Sequence, residues 1–313
     1  MLNFILDALI YTGVFGILAI SLNLEAGFTR LMNYGKVAFF GVGAYTSALL
    51  ALNGYNFIFT LIAAIFMSAL AGFLISLPTL RLREDYFAIV TVSFGEILRL
   101  FFVSEAWLTN GTRGLPGIPR PLTDVIPINN YLLFYVPIVF IFLFACYLIA
   151  TQIVNSPFGR VLKSIREDEV ASKSLGKDIF KFKTKSLIIG SSMAGIAGHL
   201  FSYHLRFISP DMFFPVLTFT IWTMMIIGGI ANIKGSILGA LIVQTFERGM
   251  SIVKDYVNLP IDPLNFRIIV IGFILILFMM YRPEGIIPEE KTKSISTRSV
   301  SYTHLTLPTI LLV

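Results

Sequence analysis

Charge is scarce in this chain. Of its 313 residues 13% are charged and 56% hydrophobic, and the mean hydropathy is +0.82. That leaves too little polar surface to cover a soluble globule of this length, so the sequence reads as an all-α, polytopic membrane protein. Cysteine is nearly absent: Cys146 stands alone inside an apolar run, which excludes a disulfide framework and a cysteine-based metal site. No GxxxxGK[ST] loop occurs, so the chain has no usual cradle for a nucleotide phosphate and any ATP must be hydrolysed by a partner. His199 and His204 have no cysteine or third histidine near them. A zinc role therefore lacks ligands, and the pair reads as interfacial histidines near a span end. A GxSxG elbow and an aspartate-rich Mg²⁺ site are also missing, which leaves an enzyme unsupported. The first 24 residues contain no Lys or Arg and include Asp7, so the first apolar segment reads as a retained span rather than a cleaved signal peptide.

Taking roughly 20 apolar residues per crossing, spans are expected near Phe4 to Leu24, Lys36 to Leu52, Phe57 to Leu80, Tyr86 to Val103, Tyr131 to Ile153, Ser186 to Tyr203, Pro215 to Ile230 and Phe266 to Tyr281. The run Gly235 to Phe246 is short for a crossing. If it does cross, Lys234, Arg282, Lys291, Lys293 and Arg298 fall on the same side as Arg30, Lys36, Arg81 and Arg83, as the positive-inside bias requires. About nine crossings follow, within a range of eight to ten, with the N-terminus outside and the C-terminus cytoplasmic. Two stretches, FFGVGAY at Phe39 to Tyr45 and IGGIANIKGSILGA at Ile227 to Ala240, break the apolar pattern with glycines and polar residues. Interruptions in both halves point to discontinuous or re-entrant helices beside a solute path, with Gly41, Gly43, Gly228 and Gly229 as its candidates.

Between the fifth and sixth spans lies an island of different composition, residues 155–185. Eight Lys or Arg (Arg160, Lys163, Arg166, Lys173, Lys177, Lys181, Lys183, Lys185) stand against Glu167, Asp168, Glu169 and Asp178, which places the island in the cytoplasm. The net charge of +6 does not indicate nucleic acid, because the basic residues lie between apolar runs, where they orient spans and meet lipid headgroups. Asn155 and Ser156 read as caps and Pro157 as the first helical residue. Phe158, Val161, Leu162 and Ile165 then recur at helical spacing, the pattern of a helix lying on a surface. An acidic cluster opens a second helix, the small residues Ala171, Ser172 and Ser174 allow another surface to approach, and Gly176 permits a sharp exit. On the opposite side of the membrane, residues 105–130 hold four prolines and three glycines, too many for a regular helix.

Glu96 and Arg99, three residues apart in the fourth span, are placed to pair. Ionisable groups inside a bilayer are candidates for a solute path; the alternative is that Arg99 snorkels outward and Glu96 neutralises it. Asn23 with Glu25, and Asn232 with Lys234, read as caps at the membrane interface, with a gating role as the alternative. The tail segment VSYTHLTLPT, from Val300, back-translates into the end of a transposase adapter used in sequencing libraries. Residues 300–313 are therefore set aside as non-native read-through, after a polar tail at 291–299.

The order Glu169, Ala171, Ser172, Leu175, Gly176 between two spans resembles the cytoplasmic coupling loop of bacterial ATP-binding-cassette importer permeases. The likeness to the branched-chain amino acid permease family, in its LivM-type subunits, extends along the chain to about residue 290. It is carried by LNLEAGFTRLMNYGKVAFFGVGAYTSALL at Leu22 to Leu50, LRLREDYFAIVTVSFGEILRL at Leu80 to Leu100, NGTRGLPGIP at Asn110 to Pro119 and YRPEGI at Tyr281 to Ile286. Asn33, Tyr34 and Lys36 replace the family's usual Ser, Leu and His, and Ala231 to Lys234 depart from its small residues.

The resemblance implies one permease domain over residues 1–290, in the cytoplasmic membrane of a bacterium. Its expected partners are a homologous second permease, two ATPase subunits, an extracytoplasmic solute-binding protein and membrane lipids. ATP and Mg²⁺ would be bound by the ATPases and no cofactor by this chain. Arg166, Glu169, Ala171, Ser172, Leu175 and Gly176 would couple to the ATPases, and Glu96, Arg99, Asn23 and the four glycines would flank the solute. The expected solutes are branched-chain amino acids, or urea or short amides, whose permeases share these motifs. A secondary transporter would need its own ion site, for which only Glu96 and Asp7 are available. A membrane-embedded lipid-modifying enzyme would need clustered acids or histidines on the cytoplasmic side.

Overall fold

The computed structural model describes residues 2–79, 84–121, 131–256 and 263–289. Arg81, Arg83, the far half of the 105–130 loop and everything from residue 290 onward, including Lys291, Lys293, Arg298 and the adapter-like tail, lie outside them. The described chain is built from helices: α1 (Leu2–Thr29), α2 (Lys36–Leu52), α3 (Phe57–Thr79), α4 (Glu84–Ser104), α5 (Ala106–Thr109), α6 (Tyr131–Asn155), α7 (Pro157–Glu167), α8 (Glu169–Ser174), α9 (Ile179–Leu205), α10 (Val216–Gly228), α11 (Ile233–Tyr256) and α12 (Pro263–Tyr281). Its one small sheet among these residues pairs β1 (Leu115–Pro116) with β2 (Phe207–Ile208), antiparallel, Leu115 opposite Ile208. Four helices, α1, α3, α4 and α6, are each long and apolar enough to cross a membrane, and α10 with α11 forms a pair, bent by 120°, that passes the same test only when the two are taken together.

Helix α1 is the central post, packed on α6, α9, α10 and α11. Its residues from Thr12 to Thr29 are buried without interruption, whereas α6 buries only a seam, Tyr131, Tyr135, Val139, Leu143, Cys146, Ala150 and Val154. That spacing of three and four is one face of a helix. Helix α3 is sorted the other way round from a helix in water: Thr60, Ser68, Ser76 and Thr79 are buried, while Ile58, Ile62, Phe66, Leu74 and Leu77 face outward.

Each expected span falls on a helix, although α2, α9 and α12 do not by themselves meet the length and hydropathy of a crossing among the described residues; three further differences concern their bounds and breaks. Helix α1 runs five residues past Leu24, because Glu25 is neutralised inside the protein rather than left at the interface. Helix α9 starts seven residues before Ser186, because Asp178 caps it by accepting the Lys181 N–H. The third difference is a correction: FFGVGAY is not a break. It lies within unbroken α2, and its Gly43 serves close packing, since a Cβ there would lie 2.6 Å from the Gly195 Cα of α9. The irregular backbone comes one step earlier, at residues 30–35 between α1 and α2.

The second expected break is present. Helices α10 and α11 meet at 120° through Gly229 (φ +131°) and Ala231 (φ +59°). Helix α11 then returns across the bundle. At its start Asn232 caps it by accepting the Gly235 N–H at 3.0 Å, close to the end of the molecule that carries α7 and α8. Further along, Arg248 reaches Asp7, near the start of α1, at 3.0 Å. The Gly235 to Phe246 run is therefore the middle of a traversing helix.

Candidate functional site

The island folds into two short helices at one end of the bundle. Ser156 caps α7 by accepting the Gly159 N–H at 3.3 Å, with Pro157 at the first helical position. Asp168 caps α8, accepting the N–H groups of Val170 (2.8 Å) and Ala171 (3.0 Å). Leu162 and Ile165 are buried against the bundle, Phe158 stacks on Phe182 of α9 with centroids 5.3 Å apart, and the Lys163 ammonium lies 5.6 Å over the Phe28 ring. Helix α7 is thus seated on the ends of α1, α6 and α9. Glu169 pairs with Lys183 of α9, which anchors α8.

The outward surface of this unit mixes exposed aliphatic residues with Lys173, Ser174 and Lys177. Val170 is 76% and Leu175 75% exposed, Ala171 lies open beside them, and Gly176, at φ +76°, has open space around it. These two exposed aliphatic side chains stand on a short turn that is capped at its start by Asp168. Ser172 does not belong to that surface: it is buried and bonds Ser164 at 2.8 Å. Arg166 also points inward, donating to the Gly27 carbonyl of α1 at 3.0 Å and pairing with Glu289 at 3.0 Å.

Glu96 and Arg99 pair as the spacing requires. Arg99 Nε and Nη2 donate to both carboxylate oxygens of Glu96 at 2.6–3.1 Å, and the guanidinium lies 4.5 Å over the Phe214 ring. At 1.5 Å per residue Glu96 lies about 18 Å along α4 from its first residue and about 12 Å from its last. It is nevertheless 38% exposed on the outside of the molecule. A carboxylate that open at that depth does not face hydrocarbon; it needs water or another protein. Helix α2 begins beside it: the Tyr34 N–H donates to Thr91 Oγ1 of α4 at 3.1 Å, and the Val37 N–H to Thr218 Oγ1 of α10 at 3.2 Å. Tyr34 stacks on Trp222 with centroids 4.8 Å apart. Helices α4 and α10 therefore flank the start of α2, and the ion pair lies along that seam.

The other path candidates are buried in packing contacts. A Cβ on Gly41 would meet the Phe213 ring at 3.3 Å, one on Gly228 would run into the Gly235 backbone of α11, and one on Gly229 into Ile287. Asn23 and Glu25 are not interface caps, because both are fully buried. Asn23 binds the α10–α11 joint. Glu25 pairs with Lys36 at 2.7 Å, both without solvent exposure, and accepts from Asn33 Nδ2 at 2.9 Å. Asn232 is a cap, as expected, but a buried one. His199 is likewise fully buried, its Nδ1 2.9 Å from Ser47 Oγ, and His204 binds Asp7 at 2.7 Å. The buried Glu25, Asn33, Lys36 cluster was invisible as a unit in the sequence. Its one trace was the departure of Asn33 and Lys36 from the resembled family's pattern.

The chain matches the family described as the permease component of branched-chain amino acid transport systems over residues 4–279. It is 31% identical over 305 residues to the high-affinity branched-chain amino acid transport system permease protein LivM of Escherichia coli, covering 90% of this chain and 69% of that protein. It is 30% identical over 321 residues to a probable branched-chain amino acid transport permease protein LivM of Methanocaldococcus jannaschii, covering 90% and 92%. A more distant likeness, 22% over 296 residues, joins it to the Escherichia coli permease protein LivH, with 90% and 93% covered. No solved structure matches it.

Proposed function

Because the chain belongs to the permease family of branched-chain amino acid transport systems, we propose that it is one of two permease subunits of an ATP-driven importer that carries leucine, isoleucine and valine through the cytoplasmic membrane. It is a transporter subunit and not an enzyme. The observation that carries the reading is the family match across 4–279, joined to the exposed Val170 and Leu175 on a capped helical turn.

In this reading α8 and Gly176 seat in a cleft of a partner ATPase, which binds the ATP and Mg²⁺ that this chain has no loop to hold. Helix α7, fixed to α1, α6 and α9, carries the ATPase movement into the bundle as a rigid body. A second permease related to this one faces the seam of α4, α2 and α10. The solute passes between them, with the Glu96 carboxylate and Arg99 guanidinium offering one charge each to a zwitterion, and a soluble receptor delivers it from outside. Capture by that receptor leaves the membrane subunits free of a deep, tight site, which suits a path lined by one ion pair and aromatic rings.

The test is reconstitution. The chain is co-expressed with its genomic neighbours and placed in proteoliposomes with ATP inside and receptor outside. Leucine is expected to accumulate against its gradient only when the ATPases are present. Accumulation by the permeases without ATP, or ATP-driven uptake of urea in place of leucine, would overturn the assignment.

A further inference from the structure

Arg166 and Asn23 lie on one closed circuit of contacts that runs through four parts of the chain. Arg166, on α7, donates through Nη1 to the Gly27 carbonyl near the end of α1 at 3.0 Å, and through Nη2 to Glu289 at 3.2 Å. Glu289 belongs to a strap, Ile286 to Glu289, that lies along the α10–α11 joint. There the N–H groups of Ile286 and Ile287 donate to the Ile227 and Gly228 carbonyls at 2.9 and 3.0 Å, and Pro288 accepts from Asn232 Nδ2 at 2.9 Å. From the other side, one turn before Gly27, Asn23 closes the circuit. Its Nδ2 donates to the Gly229 carbonyl (3.2 Å), the Asn232 carbonyl (3.0 Å) and Ser236 Oγ (2.7 Å), and its Oδ1 accepts the Ala231 N–H at 2.8 Å.

A broken helix inside the bundle frees backbone groups that must be bonded elsewhere. Here one buried side chain from α1 and one strap from the C-terminal segment bond them, and both are tied to the docking helix by the same guanidinium. Two island cations give up most of their solvent: Lys183, 9% exposed, is taken by Glu169 of α8, while Arg166, 19% exposed, reaches α1 and the strap. A joint held on two sides by partners that share one anchor follows that anchor when it moves.

We propose that Arg166 and Asn23 are positioning residues for transport: Arg166 delivers displacement of α7 and α8 to the strap and to α1, and Asn23 makes the α10–α11 joint follow. This deepens the permease reading and rests on it.

The experiment uses the assembled transporter with Arg166→Gln, Asn23→Ser and Glu289→Gln, the last a partly exposed position where folding is not at stake. Backbone hydrogen exchange is compared at residues 228–236 and 160–176. Coupling between sites is reciprocal, with about fivefold as its lower range. Arg166→Gln and Glu289→Gln are therefore expected to speed exchange at the joint by about fivefold or more, and Asn23→Ser to do the same at the docking helices. In proteoliposomes, solute moved per ATP is expected to fall below the native ratio while the ATPases copurify as with the native chain. Exchange changes confined to the altered residue's own helix would overturn the proposal, as would an unchanged ratio of solute to ATP or loss of the ATPases from the complex. If the native assembly moves no solute, the permease reading fails, and the exchange comparison still decides whether the circuit transmits.

Discussion

The Glu25–Lys36 pair offers the sharpest quantitative test of how the bundle is held together. Both side chains are fully buried and 2.7 Å apart. The carboxylate fits beside α9 where Gly190 leaves room, since a Cβ there would lie 2.6 Å from Glu25 Cδ. Replacing Lys36 by Met keeps most of the side-chain volume and removes the ammonium, leaving a buried carboxylate with Asn33 as its partner. Breaking a buried pair from one side costs about 3–5 kcal/mol, whereas replacing both partners by neutral groups of similar shape is often close to neutral. Lys36→Met is therefore expected to lose about 3 kcal/mol or more, and Glu25→Gln with Lys36→Met about 1 kcal/mol or less, because Gln keeps an acceptor for Asn33. Against a typical total of about 5–15 kcal/mol the single change removes a large share of stability. Trp222 reports on this site directly, since its Nε1 donates to the Asn33 carbonyl at 3.2 Å. With Trp107→Phe it is the sole tryptophan of the two in the chain. Denaturant unfolding in detergent of the native chain, Glu25→Gln, Lys36→Met and the double variant, followed by Trp222 emission, gives the four corners of the cycle. A single-variant loss below about 1 kcal/mol, or additive losses, would refute the claim that this ion pair fastens α1 to α2.

Three further outcomes are expected. Gly198→Leu should fail to pack or unfold at markedly lower temperature, because its Cβ would lie 2.7 Å from the Ala44 nitrogen of α2 and backbone does not yield as side chains do; overpacking costs about 1–3 kcal/mol even in softer settings, and thermal unfolding in detergent measures it. Val170→Asp with Leu175→Asp should leave thermal stability unchanged and reduce copurification of the ATPases at least about tenfold, the loss expected when charge replaces the buried centre of an interface. The Asp178 carboxyl is held below its ordinary value of 3.8 by its hydrogen bond from Lys181. A carboxylate lowered in the folded state adds stability above its unfolded pKa and loses it as pH falls through the lowered one. Protection at the start of α9, corrected for the intrinsic pH dependence of amide exchange, should thus stay flat from neutral pH to near 3.8 and fall below it in the native chain, and be lower above that pH in Asp178→Ala, with the difference shrinking below it.

The spans were legible because apolar run length is a direct consequence of bilayer thickness, and α2 and α3 begin where the hydropathy pattern begins. The island helices α7 and α8 were legible too, since Ser156, Pro157, Asp168 and Gly176 act locally and each carries its own capping or turn chemistry. What the sequence hid is every polar contact made at long range. Asn23 looks like a cap from its place at the end of an apolar run, yet its partners are more than 200 positions away. The glycines of FFGVGAY looked like a break because glycine serves both broken helices and tight helix crossings. Only the position of α9 decides between them. Ser172 and Arg166 match a docking motif in order, but one belongs to the helix's inner side and the other to the joint behind it.

Side-chain chemistry also separates the surfaces that meet lipid from the one that does not. Helix α3 turns Thr60, Ser68 and Ser76 inward and shows Ile58, Phe66 and Leu74 outside; α6 does the same with its seam buried and Leu133, Ile141, Phe144 and Leu148 exposed. Hydrocarbon is a good solvent for such faces and supplies no force to cover them. Helix α4 differs. Its outer side mixes Ile89 and Ile97 with exposed Ser93 and the partly open Glu96, and an exposed carboxylate part-way along a span is costly in lipid even when paired. The side of the bundle that carries α4 and the start of α10 is therefore chemically set apart from the α3 and α6 faces, and the exposed Val170 and Leu175 set the α8 end apart as well. In the assembly proposed above, the second permease covers α4 and the ATPase covers α8.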